Sequence, residues 1–370
     1  MYSKTVLISG AGVAGQALAY WLHRYGYTPT VIERAPRHYG TGFDVDVRGP
    51  ALDVLDRMAL LEQVRAHQTP RRDTVLLDGD GNQVDVLPPE IFAGDVEIHN
   101  RDLLRILYSA TRNEVRYLFG NSITGLLRRD DGVRVSFERG EPEDFDLVVG
   151  ADGIHSTVRE MVFGAESNFI HHLGIAFGAF TTRDYLTLGN RGMLYRAPGI
   201  SVGVNGRSDL GELHVVVSFA ADALDPGRYD IEQRKKIVAD QCAGLGWETP
   251  RLIAAMRDAP DFFFGTISQI RMDRWAQGRV VLVGDAAYCA APTSGRGTSQ
   301  ALIGAYILAG ELATARDHTE AFAEYERQLR GYVAGNQRIG RRTARWFLEP
   351  DADAEHDAAD TPVAVNDYLS

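Results

Sequence analysis

Cysteine is scarce in this sequence, which has only Cys242 and Cys289 among its 370 residues. Two cysteines so far apart along the chain cannot build a disulfide scaffold, and they lack the spacing of zinc ligands. We therefore expect a reducing compartment and no metal site. The chain also lacks an apolar run of about 18 residues, the length that a membrane-spanning helix needs, and its first residues do not form a signal-peptide pattern. These absences predict a cytoplasmic protein with no membrane partner.

The sequence has fewer basic than acidic residues. The sequence has 39 Lys and Arg residues against 50 Asp and Glu residues, which gives a formal net charge of −11. Non-specific binding to nucleic acid or to anionic membranes requires clustered Lys and Arg, so the composition argues against both partners. Hydrophobic residues make up 45% and charged residues 24%, as in ordinary globular proteins. The length fits one large domain or two closely packed domains.

The N-terminal segment up to Glu33 is predicted to form a strand, a helix and a second strand. A glycine run between the first strand and the helix matches the pattern GxGxxG. In this pattern the first glycine makes a tight turn, the second lets the backbone approach a pyrophosphate, and the third lets helix and strand pack closely. A carboxylate at the end of the second strand can accept hydrogen bonds from ribose hydroxyls. The pattern indicates a bound dinucleotide, either NAD or FAD, contacted by Gly10, Gly12, Val13, Ala14, Gly15 and Glu33.

A second part of the same site is predicted far down the chain. Residues 279–283 form an apolar strand that ends in Gly284-Asp285, and a glycine-rich turn then precedes a long apolar helix. Asp285 offers a carboxylate for a polyol hydroxyl. The start of the helix offers free N–H donors that would stabilise negative charge on the pyrimidine edge of a reduced flavin. These features favour FAD and add Asp285, Pro292, Gly295, Gly297 and Thr298 to the predicted contacts.

A third motif runs from Asp152 to Arg159 and reads DGIHSTVR. Together with the glycine run, which is followed by Glu33-Arg34, and with Gly284-Asp285, it resembles the motifs of the single-component FAD-dependent aromatic hydroxylases of the p-hydroxybenzoate hydroxylase fold. The resemblance covers almost the whole chain. It is greatest to the compact members of that family, which include tetracycline-inactivating monooxygenases.

The resemblance implies an FAD-dependent monooxygenase that uses NAD(P)H and O2 to hydroxylate an aromatic or polyketide-like substrate, with tetracyclines among the candidates. In that family NADPH or NADH reduces the flavin, O2 converts it into a C4a-hydroperoxide, and one oxygen atom passes to the substrate. No catalytic side chain is therefore predicted. NAD(P)H would bind transiently, because the sequence contains one intact GxGxxG. Further cofactor-binding residues implied by the resemblance are Arg34, Asp46, Arg48, Arg101, Asp152 and Arg159.

Two positions depart from the family pattern. Tyr288 occupies the place of a histidine that follows Gly-Asp-Ala-Ala in the family. A family arginine that lies near the flavin falls on Asn100, and Arg101 follows one residue later. An offset of one residue rotates a helical side chain by about 100°. These departures keep open a flavin-binding regulatory protein without turnover. A flavin-dependent reductase on the same fold is a further alternative.

Other reactive residue types are interpreted as structural. Cys289 lies near Asp285 without an activating partner, so we expect it to be buried packing. His171 and His172 are adjacent on a predicted strand and point to opposite faces, which disfavours a metal site. The run Phe262–Phe264 either lines the substrate pocket or packs in the core.

The order of predicted elements indicates the α/β class, with a Rossmann-like FAD-binding domain, an inserted antiparallel-sheet substrate domain and a C-terminal helix. We expect residues 1–165 to form the first part of the FAD-binding domain and residues 166–270 the substrate domain. Residues 271–350 would complete the FAD-binding domain and add the C-terminal helix, and residues 351–370 would form an acidic tail. The expected partner is a small aromatic molecule, bound by a monomer or a weak homodimer.

Overall fold

The computed structural model describes residues 4–36, 44–70, 73–208, 210–221, 224, 226–349 and 362–368. Its strands are β1 (Thr5–Ser9), β2 (Thr28–Glu33), β3 (Asp44–Val47), β4 (Thr74–Leu77), β5 (Gln83–Leu87), β6 (Val96–His99), β7 (Arg116–Phe119), β8 (Ile123–Arg128), β9 (Val133–Phe137), β10 (Glu143–Phe145), β11 (Leu147–Gly150), β12 (Ile170–Arg183), β13 (Gly192–Ala197), β14 (Ile200–Arg207), β15 (Glu212–Ala220), β16 (Phe263–Ile270), β17 (Ala276–Gln277) and β18 (Val280–Leu282). Its α-helices are α1 (Val13–Arg24), α2 (Pro50–Arg57), α3 (Leu61–Ala66), α4 (Asn100–Thr111), α5 (Thr157–Phe163), α6 (Ile231–Gln241), α7 (Thr249–Asp258), α8 (Asp285–Tyr288), α9 (Gly297–Thr314) and α10 (His318–Leu348).

A six-stranded sheet with the order β17-β18-β11-β1-β2-β7 forms the first layer. Its neighbouring strands are parallel except β17 and β18. The centre of the sheet is fully buried, as its apolar strands require, and Ile8 in β1 pairs with Val149 on one side and Val31 on the other. Helix α1 packs against α4 and α9. The predicted Rossmann-like fold is confirmed.

A seven-stranded sheet with the order β16-β12-β15-β14-β13-β4-β5 forms the second layer. It is antiparallel except between β13 and β4, which confirms the predicted antiparallel sheet. Alternate residues of β15, such as Val215 and Val217, are buried in a core that includes residues of α6 and α7. The strands β4 and β5 lie within residues 1–165, and they join this sheet at its edge. The division of the chain into domains at residues 165 and 270 remains a prediction.

The last two helices pack against each other, and α10 also contacts strands β12 to β15 of the second sheet. Helix α9 is buried on nearly every side because it packs against α1, α2 and α10. Helix α10 is the predicted C-terminal helix, and it begins at a cap in which Asp317 accepts hydrogen bonds from the N–H groups of Thr319 and Glu320. None of the helices in the described ranges combines the length and apolar character that a membrane crossing needs.

The end of the chain returns to the first layer. The carbonyl oxygen of Asn366 accepts hydrogen bonds from Tyr306 Oη at 2.6 Å and from Arg57 Nη1 at 2.9 Å. Tyr368 Oη donates to Glu311 Oε1 at 2.7 Å, and its ring lies against Gly310. The acidic stretch at 351–360 of the predicted tail lies outside the described residues. Residues 362–368 of that tail pack on α2 and α9.

Candidate active site

A cavity of about 1070 Å³ lies between the two sheets. Three loops that follow parallel strands of the first sheet line one end of it, at Gly12 after β1, Gly153 after β11 and Asp285 after β18. The carboxyl ends of parallel strands meet at one edge of a sheet, where open α/β sheets bind their ligands. Residues of the second sheet, including Phe177 and Met193, line the other end. One cavity thus joins the predicted cofactor motifs to the predicted substrate sheet.

The three glycines of the GxGxxG run differ in their surroundings. Gly10 has a φ of 106°, and a Cβ there would lie 2.4 Å from the carbonyl oxygen of Ala151. A Cβ on Gly15 would lie 1.9 Å from the carbonyl oxygen of Gly10. A Cβ on Gly12 would meet no atom within 4 Å, because Gly12 faces the cavity. Gly10 and Gly15 therefore allow close packing of the backbone, while Gly12 leaves room for a ligand.

The N-terminus of α1 points into this cavity. Gly12 is the N-cap and makes no side-chain capping bond, and no acidic residue stands in the first turn of the helix. Val13 and Ala14 line the cavity. The uncapped N–H groups and the positive end of the helix dipole suit a phosphate group.

Glu33 stabilises the glycine turn through its carboxylate. Its Oε2 accepts a hydrogen bond from the N–H of Ala11 at 2.9 Å, and its Oε1 accepts one from the N–H of Ala35 at 2.9 Å. This carboxylate does not line the cavity in the described structure, so its predicted contact with a ribose stays a prediction. Arg34 is exposed next to it.

Asp285 is the exposed first residue of α8, and it lines the cavity. Burial raises the pKa of this carboxyl, and a hydrogen bond with Cys289 opposes the rise. Pro292, Gly295, Gly297 and Thr298 line the cavity beside it. A Cβ on Gly297, the first residue of α9, would meet no atom within 4 Å. A second helix N-terminus is therefore open to the cavity.

Asp46 and Arg48 support the Gly295 turn. Arg48 Nη2 lies 3.4 Å from Asp46 Oδ2 and donates to the carbonyl oxygen of Phe92 at 2.8 Å. The N–H of Gly94 donates to Asp46 Oδ1 at 2.6 Å. Burial raises the pKa of Asp46, although Arg48 lowers it. A Cβ on Gly295 would lie 3.4 Å from Asp46 Oδ2. Asp46 lines the cavity, whereas its partner Arg48 does not and supports Asp46 from outside the lining.

The Asp152 and Arg159 side chains bind other parts of the protein. Asp152 accepts hydrogen bonds from the Ser156 hydroxyl and the N–H of Val158 at the start of α5. Arg159 is fully buried. It donates hydrogen bonds to the carbonyl oxygens of Ala286 at 3.1 Å and Ile154 at 2.7 Å, and to Glu166 Oε2 at 2.7 Å. Neither lines the cavity, in contrast to the cofactor contacts implied by the resemblance. Arg159 connects the loop after β11, at Ile154, to Ala286 after β18.

Arg101 does not reach the cavity either. Its side chain is 54% exposed and lies 3.9 Å from Asp102, whereas Asn100 lines the cavity as the first residue of α4. The offset of one residue along the helix turns Arg101 toward solvent. The flavin contact predicted for Arg101 is thus not supported by its placement.

Tyr288 and Cys289 belong to the core. Tyr288 Oη lies 2.8 Å from Tyr325 Oη, and Tyr325 Oη donates to the carbonyl oxygen of Leu282 at 3.1 Å. Burial raises the pKa of Tyr288 to about 12 and raises that of the Cys289 thiol well above its ordinary value. The expected packing role of Cys289 agrees with this placement. Within the predicted run at 262–264, Phe262 and Phe264 are buried and Phe263 is exposed, and none of the three lines the cavity.

A polar cluster at the substrate end of the cavity has no counterpart among the predicted residues. It consists of Asp44, His99, Arg207 and His214, all of which line the cavity. Asp44 and His99 are direct cross-strand partners of β3 and β6, and His99 Nδ1 is in short contact with Asp44 Oδ1. Arg207 Nη2 lies 3.0 Å from His99 Nε2. No sequence motif links these residues, which come from four separate strands.

Comparisons with known proteins identify the family. A family model described as FAD binding domain matches residues 3–333. The chain is 44% identical over 341 residues to an uncharacterized protein of Mycobacterium tuberculosis, with 90% of this chain and 92% of the relative covered. It is 35% identical over 351 residues to a flavin-dependent monooxygenase of Legionella longbeachae, with 94% and 90% covered. The crystal structure of tetracycline destructase Tet(55) is similar with a TM-score of 0.85 and 37% identity, and covers 94% of this chain and 90% of that chain.

Proposed function

The chain belongs to the family of FAD-dependent monooxygenases that share this FAD binding domain, and we propose that it hydroxylates a phenolic, polyketide-like substrate in the cavity between its two sheets. One observation carries the proposal. Two uncapped helix N-termini, at Gly12 and Gly297, open into the same cavity as an apolar and aromatic face of the second sheet. This arrangement suits an anionic cofactor at one end and a flat aromatic molecule at the other.

The residues at the cofactor end fit FAD. The N–H groups at the start of α1 would hold the pyrophosphate, and Gly12 leaves the space that this approach requires. Asp285 would accept a hydrogen bond from a hydroxyl of the ribityl chain. The N-terminus of α9 would stabilise negative charge on the pyrimidine edge of the ring. When bound, FAD supplies the redox chemistry with NAD(P)H and O2, which side chains alone cannot perform.

The substrate end provides shape and excludes water. Phe92, Phe177, Met193 and Phe347 line it with apolar surface, and Phe347 comes from the end of α10. A planar ring system packed among these side chains would be shielded from solvent, which limits side reactions of a reactive intermediate. Tetracyclines are candidate substrates because the similar Tet(55) is named a tetracycline destructase.

The test begins with the purified protein, which should be yellow and should release FAD on denaturation. We expect NADPH or NADH oxidation to accelerate when a substrate is added from a panel of tetracyclines and simpler phenols. Mass spectrometry should then detect a product heavier by one oxygen atom, with the label retained from 18O2. A product formed by reduction without O2 uptake would favour the reductase alternative. Bound FAD without any stimulated oxidation across the panel would favour the regulatory alternative.

Three further features belong to the proposal. NAD(P)H binds transiently, since the one GxGxxG of the sequence is assigned to FAD. The protein is a monomer or a weak homodimer. It acts in the cytoplasm, where NAD(P)H is supplied.

A further inference from the structure

A second cavity, of about 1320 Å³, lies between the last turns of α10 and the strands β4, β5 and β13. Within the described residues, its lining shares no member with the cavity between the two sheets. Five arginines form one part of its wall. Apolar side chains form another part, and they are Leu76, Leu77, Val84, Pro198, Trp346 and Leu348. We call this cavity the arginine groove.

Four of the arginines form a stripe along α10. Arg338, Arg341, Arg342 and Arg345 stand at positions i, i+3, i+4 and i+7, which places them on one face of the helix. The stripe is about 10 Å long, because an α-helix rises 1.5 Å per residue. Like charges at these spacings repel one another and destabilise the helix. An anion that faces the stripe would reverse this effect.

The fifth arginine holds the groove in shape. Arg196 of β13 is 6% exposed, and its Nη2 donates to the carbonyl oxygens of Trp346 and Glu349, both at 2.6 Å. Its guanidinium carbon also lies 4.2 Å from the centroid of the Trp346 ring. These contacts join β13 to the end of α10. The groove is therefore preformed, which favours ligand binding because few groups need to be ordered.

Carboxylates offset only part of the positive charge. Asp78 and Glu349 are the acidic residues of the described lining, so five arginines leave it with a net charge of +3, in a chain whose net charge is −11. Asp78 accepts hydrogen bonds from the N–H groups of Asp80 and Asn82 in its own turn. Glu349 pairs with Arg345 at 3.1 Å, but these side chains are 50% and 75% exposed, and solvent screens such a pair.

Arg341 shows the same imbalance in its hydrogen bonding. Its Nη1 donates to Gln269 Oε1 at 3.1 Å, and Arg271 Nη2 donates to the same oxygen at 2.9 Å. Two guanidinium groups thus converge on one neutral amide oxygen. Burial lowers the pKa of Arg271, and the charge of Arg341 acts in the same direction. An anion beside Arg341 would relieve this repulsion.

From these observations we propose that the arginine groove binds an organic polyanion, a molecule with an apolar or aromatic body and at least two phosphate or carboxylate groups. Guanidinium groups form paired hydrogen bonds with both kinds of anion. The stripe on α10 can contact charges that are several ångströms apart, and the apolar wall receives the body. This site is separate from the proposed hydroxylation and requires no turnover.

Isothermal titration calorimetry on the complete, FAD-loaded protein tests the inference. ATP and benzene-1,3,5-tricarboxylate combine an aromatic body with phosphate or carboxylate groups, whereas tripolyphosphate has the charge alone and adenosine the body alone. We expect ATP or the tricarboxylate to bind more tightly than tripolyphosphate, and adenosine to show no binding. The tighter of the two identifies the anionic group. Arg341→Gln and Arg345→Gln should each weaken its binding about tenfold, because each removes a charge-assisted hydrogen bond.

A matched control separates the groove from general surface charge. Arg327 lies on the same helix, pairs with Glu324 and does not line the groove, so the Kd of Arg327→Gln should match that of the unaltered protein. Thermal melting and the visible spectrum of FAD should show that each variant folds and holds its cofactor. Failure of both ATP and the tricarboxylate to bind would overturn the inference. Binding that is unchanged in both Arg341→Gln and Arg345→Gln would do the same.

A last variant distinguishes an external ligand from the chain itself. Residues 351–360 contain five carboxylates, and all five are changed to amides. We expect the Kd of the probe to stay the same as in the unaltered protein. Binding that is detected in this variant alone would assign the arginine groove to the chain's own acidic stretch, and the proposal of a separate polyanion would then be wrong.

Discussion

Gly12 and Gly15 provide a matched pair of substitutions, because each gains one methyl group in the same turn. For Gly15→Ala the new Cβ would lie 1.9 Å from the carbonyl oxygen of Gly10, a backbone atom that cannot move without displacing β1 or α1. For Gly12→Ala the new Cβ would meet no protein atom within 4 Å. The first substitution should therefore damage the protein itself, and the second should affect only what enters the cavity.

The magnitudes follow from these distances. A methyl group forced against backbone costs about 3 kcal/mol, at the upper end of measured overpacking. For a chain of this size that corresponds to a fall in Tm of roughly 5 °C. Gly12 has a φ of −75° and an extended ψ, which alanine adopts freely. Gly12→Ala should leave the Tm of the cofactor-free protein unchanged or raise it by about 1 °C, because alanine restricts the unfolded chain.

Gly12→Ala, which should spare the Tm, should weaken the affinity for FAD. A methyl group at Gly12 would occupy the space of the pyrophosphate, and overpacking of about 1–3 kcal/mol weakens binding roughly 5-fold to 150-fold. FAD is first removed, the Tm is measured by differential scanning fluorimetry, and the Kd is then obtained from quenching of flavin fluorescence. Gly331→Ala, at an exposed position in α10 with open space for a Cβ, serves as the control and should leave the Kd unchanged.

Two results would refute this reasoning. If Gly12→Ala lowered the Tm of the cofactor-free protein as much as Gly15→Ala, the space at Gly12 would be a packing feature. If Gly12→Ala left the Kd for FAD unchanged while the protein stayed folded, the N-terminus of α1 would not be the pyrophosphate site.

Three further substitutions test other parts of the site. Burial raises the pKa of Asp285 in the folded protein. The protonated carboxyl therefore contributes to the free energy of unfolding below its unfolded pKa of about 3.9, and this contribution is lost as the pH rises. Asp285→Asn should raise the Tm of the cofactor-free protein at pH 7, and this gain in Tm should shrink toward pH ~4. The same substitution should weaken FAD binding. A gain in Tm that does not depend on pH would contradict the raised pKa of Asp285. Arg159→Lys removes donors from one buried and two partly buried oxygens and should cost about 3 kcal/mol in urea unfolding without changing the KM for NADPH. A raised KM with unchanged stability would instead support the cofactor contact implied by the resemblance. Tyr288→Phe removes a hydrogen bond in the core and should cost about 1 kcal/mol, measured in the same way. Its rate of NADPH oxidation should match that of the unaltered protein, and a tenfold loss would point to a role in turnover.

The cofactor end of the site could be predicted because its determinants are local. Gly12 needs only its position between a strand and a helix, and Asp285 needs only its position after a buried strand. The parallel order of those strands then brings the two loops to one edge of the sheet. The fold class followed from the same patterns together with the resemblance.

The substrate end could not be predicted because its determinants are not local. His99 meets Asp44 through the register of β3 and β6, and Arg207 approaches from β14 in a different sheet. The sequence motif identifies Arg159, but the direction of the Arg159 side chain depends on an acceptor supplied by the loop after β18. Arg101 illustrates the same limit, since one residue along α4 decides between the cavity and solvent.

The walls of the cavity also constrain how the chain folds. Gly12, Gly153 and Asp285 come from loops that are far apart in sequence, so closing them into one site requires nearly the whole chain to be in place. During synthesis, a nascent chain that ends before β18 has no complete place for FAD. The cofactor can therefore shift the equilibrium only toward the finished fold, and its cellular supply should determine how much protein survives proteolysis rather than how quickly the chain folds.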